Sequence, residues 1–88
     1  MKIFLKLPAS DREDYPAIPR SIDGELVPRV DEYLTIPNQR DPENGDLEDL
    51  HYRVAAVSYS YGDDLRLDAM LLLARAHESD LELPSNDI

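Results

Sequence analysis

Apolar and polar positions alternate most clearly over residues 51–61, where Tyr52, Val54, Val57, Tyr59 and Tyr61 set β-branched and aromatic side chains among small and polar neighbours. A period of two predicts a half-buried β-strand, with Tyr52, Val54, Ala56, Ser58 and Ser60 on one face and Arg53, Ala55, Val57, Tyr59 and Tyr61 on the other. Gly62-Asp63-Asp64 then reads as a turn. Residues 65–74 place Leu65, Leu67, Ala69, Leu71 and Leu73 on one face, so the two segments predict a β-hairpin. The alternative for the second arm is a helix at about 64–78, because residues 69–76 are all strong helix formers and Asp63 or Asp64 would suit an N-cap. The clean alternation of Leu65-Arg66-Leu67-Asp68-Ala69, and the first arm's need for a partner, favour the strand.

Elsewhere the pattern is weaker. Residues 2–7 put Ile3, Leu5 and Leu7 on one side of a short strand that Pro8 ends. Residues 9–24 are polar and broken by Pro16, Pro19 and Asp23-Gly24, which predicts a surface loop without a helix, anchored by Tyr15 and Ile18. Residues 25–36 read as a second strand, with Val27, Val30, Tyr33, Thr35 and Ile36, and with Pro28 marking an edge or a bulge. Residues 38–50 offer hardly an apolar side chain and are expected to form a mobile acidic loop. The expected architecture is mainly β: a small open SH3-like barrel or a strongly bent four-stranded antiparallel sheet, forming one domain over 1–76 with a disordered acidic tail at 77–88 unless Leu81 and Leu83 dock.

Val27-Pro28-Arg29-Val30 followed by Tyr33, then Tyr52-Arg53-Val54 and Val57 with a hairpin into Leu65-Arg66-Leu67, resembles small bacterial β-barrel proteins of uncertain function. In those proteins a Pro-Arg-Val-Gly start precedes a strand, and a Tyr-x-Val-x-x-Val strand pairs with the next. Here Asp31 stands where the glycine belongs, and a long acidic insert separates the two strands. The resemblance covers about half the chain and implies an SH3-like barrel without implying an activity.

Charge narrows the classes of partner. The net charge is −10, from 19 acidic and 9 basic side chains, and residues 41–88 hold most of it, with 12 acidic against 3 basic groups (−9). Such a field disfavours direct binding to nucleic acid or to an anionic membrane surface and favours a partner protein with a basic surface. At 88 residues without a cysteine, a spanning apolar run or a signal-peptide core, the reading is one small cytoplasmic domain.

The chemical motifs reduce to ordinary structure. Tyr61-Gly62-Asp63-Asp64 imitates the metal-binding hairpin of template-directed polymerases, but 88 residues cannot supply the further carboxylate and the template-binding subdomains, so a turn with hydrated carboxylates is the better reading. Asp41-Pro42-Glu43-Asn44-Gly45-Asp46-Leu47-Glu48-Asp49 concentrates oxygen ligands, yet Gly45 and Asp46 occupy the wrong places for a calcium loop, which leaves weak divalent-cation binding at most. His51 and His77 lack the spacing of a zinc pair, and no nucleophile elbow surrounds any serine. Paired carboxylates such as Asp63 and Asp68 read as hydrated turn residues. No catalytic, metal or cofactor-binding residue is expected.

Tyrosine joins a large apolar body to one polar handle and suits interfaces. Tyr33, Tyr59 and Tyr61, with the carboxylates Asp41, Glu43, Asp46, Glu48 and Asp49, are the candidate partner-binding surface. Met70 and Leu72 form a second apolar face that one sheet cannot bury, and are the candidate homodimer interface. The leading functional expectation is a non-catalytic protein-interaction module. The alternatives are an acidic inhibitor that mimics nucleic acid toward a DNA- or RNA-binding protein, and a small hydrolase-like enzyme.

Overall fold

The computed structural model describes residues 1–77 and residue 79; the expectations for the tail, including Leu81 and Leu83, lie outside the described residues. In chain order the elements are β1 (Lys2–Lys6), α1 (Ala9–Asp14), β2 (Ser21–Asp23), β3 (Tyr33–Arg40), β4 (Leu47–Tyr61) and β5 (Leu67–Ala76). The strands form one sheet in the order β2-β1-β5-β4-β3, curled into a half-barrel. The mainly β, open-barrel expectation holds, with two differences of detail. The sheet has five strands, and the pairing of β1 with β5 is parallel, Ile3 opposite Ala69 and Leu5 opposite Leu71.

That parallel pairing explains β5. Its residues favour a helix by propensity, but between β1 and β4 it becomes a central strand in which Ala69, Leu71 and Leu73 are buried by alternation. Propensities differ by tenths of a kcal/mol per residue, whereas burying one leucine is worth about 1.5–3 kcal/mol, so burial wins. The hairpin is therefore present, though its second arm begins at Leu67. Leu65 is 79% exposed and left-handed (φ 62°), and belongs to the turn closed by the Gly62 N–H donating to the Arg66 carbonyl.

The expected faces of β4 change half-way along it. In the ladder with β5, Val54 lies opposite Leu73 and Ala56 opposite Leu72, so one extra residue is inserted at Ala55. A bulge reverses the parity of every later side chain. Leu50, Tyr52 and Val54 point into the concave face before it; Val57, Tyr59 and Tyr61 do so after it, opposite Leu71, Ala69 and Leu67. Ala56, Ser58 and Ser60 thus share the convex face with Arg53, not with Tyr52.

Three further expectations are corrected. Residues 9–24 contain the helix α1 and the strand β2, although Tyr15 and Ile18 are buried anchors as expected. Residues 25–36 are strand only from Tyr33: Glu32 N–H closes a turn onto the Arg29 carbonyl and Asp31 is left-handed at φ 73°, which an extended chain does not allow. The loop expected at 38–50 shrinks to residues 41–46, because Gln39 and Arg40 pair with Glu48 and Leu47 beyond a bulge at Pro37 and Asn38.

The core fills the concave face. Ile3, Leu5 and Leu7 meet Leu50, Tyr52, Val54, Ala69, Leu71 and Leu73, and Tyr15 and Ile18 close one end, with Val27, Leu34, Ile36 and Val57 at the margin. The guanidinium of Arg12 on α1 donates to the carbonyls of Ile18 (2.6 Å) and Leu5 (3.2 Å), holding helix, loop and β1 together. Among the described residues no helix is long and apolar enough to cross a membrane.

Candidate functional site

The expected partner-binding residues are spread over three places. Tyr33 lies opposite Arg53 on the convex face, where Arg53 also pairs with Asp31 at 3.0 Å. Tyr59 and Tyr61 lie on the other face, at the end of the half-barrel that α1 does not cover, and are 55% and 72% exposed. The acidic turn precedes β4 while the two tyrosines end it, so most of the length of that fifteen-residue strand, at about 3.3 Å per residue, separates them. The bulge at Ala55 and the length of β4 undo the single surface that the sequence suggested.

Much of the acidic turn is engaged in its own structure. The Asp41 carboxylate accepts from the Glu43 and Asn44 N–H groups at 2.7 and 3.3 Å, and Asn44 Oδ1 accepts from the Asp46 N–H at 2.8 Å. Gly45 supplies the left-handed residue (φ 76°) that closes the turn, and Arg40 donates to its carbonyl at 2.6 Å. Asp49 accepts from the Asn38 N–H, and Glu48 from the Tyr15 hydroxyl at 2.6 Å. Glu43 and Asp46 keep exposed carboxylates. No group of three or more His, Cys, Asp or Glu side chains among the described residues is arranged to hold a metal ion.

A polar cluster that hydrophobic patterning does not register lies where α1 meets the sheet. Asp11 is buried and accepts from the Tyr52 hydroxyl at 2.7 Å and from Arg75 at 3.2 Å, while Arg75 stacks over the Tyr52 ring at 5.8 Å. Burial, reinforced by the Asp11 carboxylate, pushes the Tyr52 hydroxyl well above the ordinary tyrosine range. The bond to Glu48, with burial, raises Tyr15 as well. Burial alone would lower Arg75, but the bond to Asp11 and its charge outweigh it and hold the guanidinium more firmly protonated. A tyrosine donating to a carboxylate that an arginine also neutralises is a satisfied arrangement. It fastens a six-residue helix to the sheet. A buried aspartate in a polar segment with no apolar period leaves no trace in hydrophobic patterning.

The convex face carries Phe4, Met70 and Leu72, the last two each 44% exposed. Lys2 lies over the Phe4 ring at 5.9 Å, and Lys6 and Arg20 line a groove of about 330 Å³ beside Phe4 and Met70. The candidate dimer residues Met70 and Leu72 are therefore exposed and bordered by basic groups in an otherwise acidic chain.

The sheet also has an edge inside its longest strand. β3 pairs with β4 from Arg40 opposite Leu47 up to Tyr33 opposite Arg53, and Asp31 and Glu32 reach as far as Val54. Among the described residues, residues 55–61 of β4 have β5 on one side and no strand on the other. Gly62 faces β5 through its bond to Arg66, so by alternation Ser60 and Ser58 face β5 too. Val57, Tyr59 and Tyr61 then turn their main-chain N–H and C=O groups outward.

Comparison with known proteins gives no match to a family model, a curated protein sequence or a solved structure.

Proposed function

We propose that the protein is a non-catalytic protein-interaction module that takes up an extended segment of another protein along the free edge of β4. The carrying observation is the character of that edge. Natural sheets blunt exposed edges with charge, proline, bulges or brevity. β2 is three residues long and ends in Asp23, and β3 carries Pro37 and a bulge. Residues 55–61, Ala-Ala-Val-Ser-Tyr-Ser-Tyr, have neither charge nor proline in a chain with 32% charged residues. An added strand would gain main-chain hydrogen bonds to Val57, Tyr59 and Tyr61, and the two exposed tyrosine rings would select its side chains.

The net charge of −10 favours a segment flanked by lysine or arginine, which the exposed carboxylates of Glu43, Asp46, Asp63 and Asp64 would steer toward the protein. The test is a titration of the labelled protein with a peptide of alternating β-branched residues flanked by lysines, followed by amide chemical shifts. Shifts concentrated at residues 55–61 and weakened by salt are expected. Shifts that centre on residues 41–49 or on the convex face, or no binding, would refute the assignment.

A further inference from the structure

We propose that, in the absence of such a segment, the free edge of β4 pairs antiparallel with the same edge of a second copy of the chain, about a two-fold axis at Tyr59. The inference rests on the reading of this edge as strand-accepting and names one occupant for it. A two-fold axis at Tyr59 sets Tyr59 opposite its counterpart and Val57 opposite Tyr61 of the second copy. All these side chains belong to the concave face, where Val57, Tyr59 and Tyr61 already share the parity imposed by the bulge. On the convex face the same register sets Ser58 opposite Ser60. Aromatic, aromatic–β-branched and serine pairs are favourable cross-strand neighbours. Val57, Tyr59 and Tyr61 are also the residues whose main chain faces outward, so the register uses each of them, for about six new main-chain bonds.

Charge decides why a second copy fits here and not elsewhere. Two molecules at −10 each repel, and self-association needs a contact that brings no carboxylates together. A two-fold contact sets the same patch against itself, which excludes the acidic turn and the Asp63-Asp64 tip as its centre. It also sets the basic border of the Met70 and Leu72 face, Lys2, Lys6 and Arg20, against itself. The β4 edge is neutral from Ala55 to Tyr61 and self-complementary under a two-fold axis. The product is one continuous sheet made of two half-barrels.

Sedimentation across the micromolar range and residue-resolved amide exchange on the wild-type protein test the proposal together. A dimer is expected, with the Val57, Tyr59 and Tyr61 amides protected in it and losing protection on dilution. Tyr59→Lys, at a position already 55% exposed, sets two like charges across the axis and should raise the dimer dissociation constant about tenfold. Leu72→Lys, on the convex face, should leave it unchanged. A dimer in which those three amides exchange rapidly, or one that Leu72→Lys breaks and Tyr59→Lys does not, overturns the pairing in favour of the Met70 and Leu72 face. A monomer whose three amides gain protection when the lysine-flanked peptide is added overturns the self-pairing and leaves the strand-accepting edge standing. A monomer without that response overturns both.

Discussion

Replacing Asp11 with alanine removes the one acceptor shared by Tyr52 and Arg75, and the structure sets the size of the effect. Tyr52 has no exposed surface, so its hydroxyl cannot turn to water and loses its bond outright, a penalty of about 1–3 kcal/mol. The Arg75 side chain is 44% exposed and recovers hydration, so losing that ion pair adds less than about 1 kcal/mol. The sum is about 2–3 kcal/mol, which for a domain of this size lowers the melting temperature by roughly 10 °C or more. Because the chain has no tryptophan, urea unfolding followed by far-ultraviolet circular dichroism is the suitable assay. The decisive comparison is the double variant Asp11→Ala/Tyr52→Phe, which leaves no polar group buried without a partner at Tyr52. It should be more stable than Asp11→Ala alone, and additivity of the two single losses would refute the account. So would an Asp11→Ala protein within about 0.5 kcal/mol of wild type.

Three other outcomes follow from the same geometry. Tyr52 and Tyr15 both hold their protons more tightly when folded than in the unfolded chain, so their contribution is complete below about pH 10 and falls as pH rises above it; urea midpoints should decline above pH 10, and less steeply in Tyr52→Phe. Leu71→Ala should cost about 2–5 kcal/mol in chemical denaturation while Leu72→Ala costs less than about 1 kcal/mol, since adjacent residues of β5 face opposite sides of the sheet; equal losses would contradict the strand. Gly45→Ala meets open space but must adopt φ 76°, so it should lower stability by about 1 kcal/mol without changing the heat of unfolding grossly, and calorimetry would show it.

The parts of the fold legible in sequence were those with a strict period of two over enough residues: β1, the first half of β3, most of β4, and β5 despite its helical propensity. Tyr15 and Ile18 were legible as anchors because large apolar side chains stand out in a polar stretch. The helix α1 was not, since Ala-Ser-Asp-Arg-Glu-Asp has no apolar face and its buried member is an aspartate. Residues 47–50 looked like loop because Leu47, Glu48, Asp49 and Leu50 are poor in β-formers, yet a long neighbouring strand carries them into the ladder. The tyrosines were recognised, but a side chain's face depends on counting without interruption from the core, and one inserted residue at Ala55 moved Tyr59 and Tyr61 to the concave side.

The sequence by itself determined that this chain is mainly β, acidic over its second half, and closed by a hairpin at Gly62, because alternation, charge and turn chemistry are local properties. Tertiary structure alone decided that β1 pairs parallel with β5, that β4 outruns β3 and leaves residues 55–61 beyond its reach, and that Asp11 is buried beneath Tyr52. Those three results depend on which segments meet across the chain. That choice is settled by the shared burial of side chains far apart in sequence, which no local pattern records.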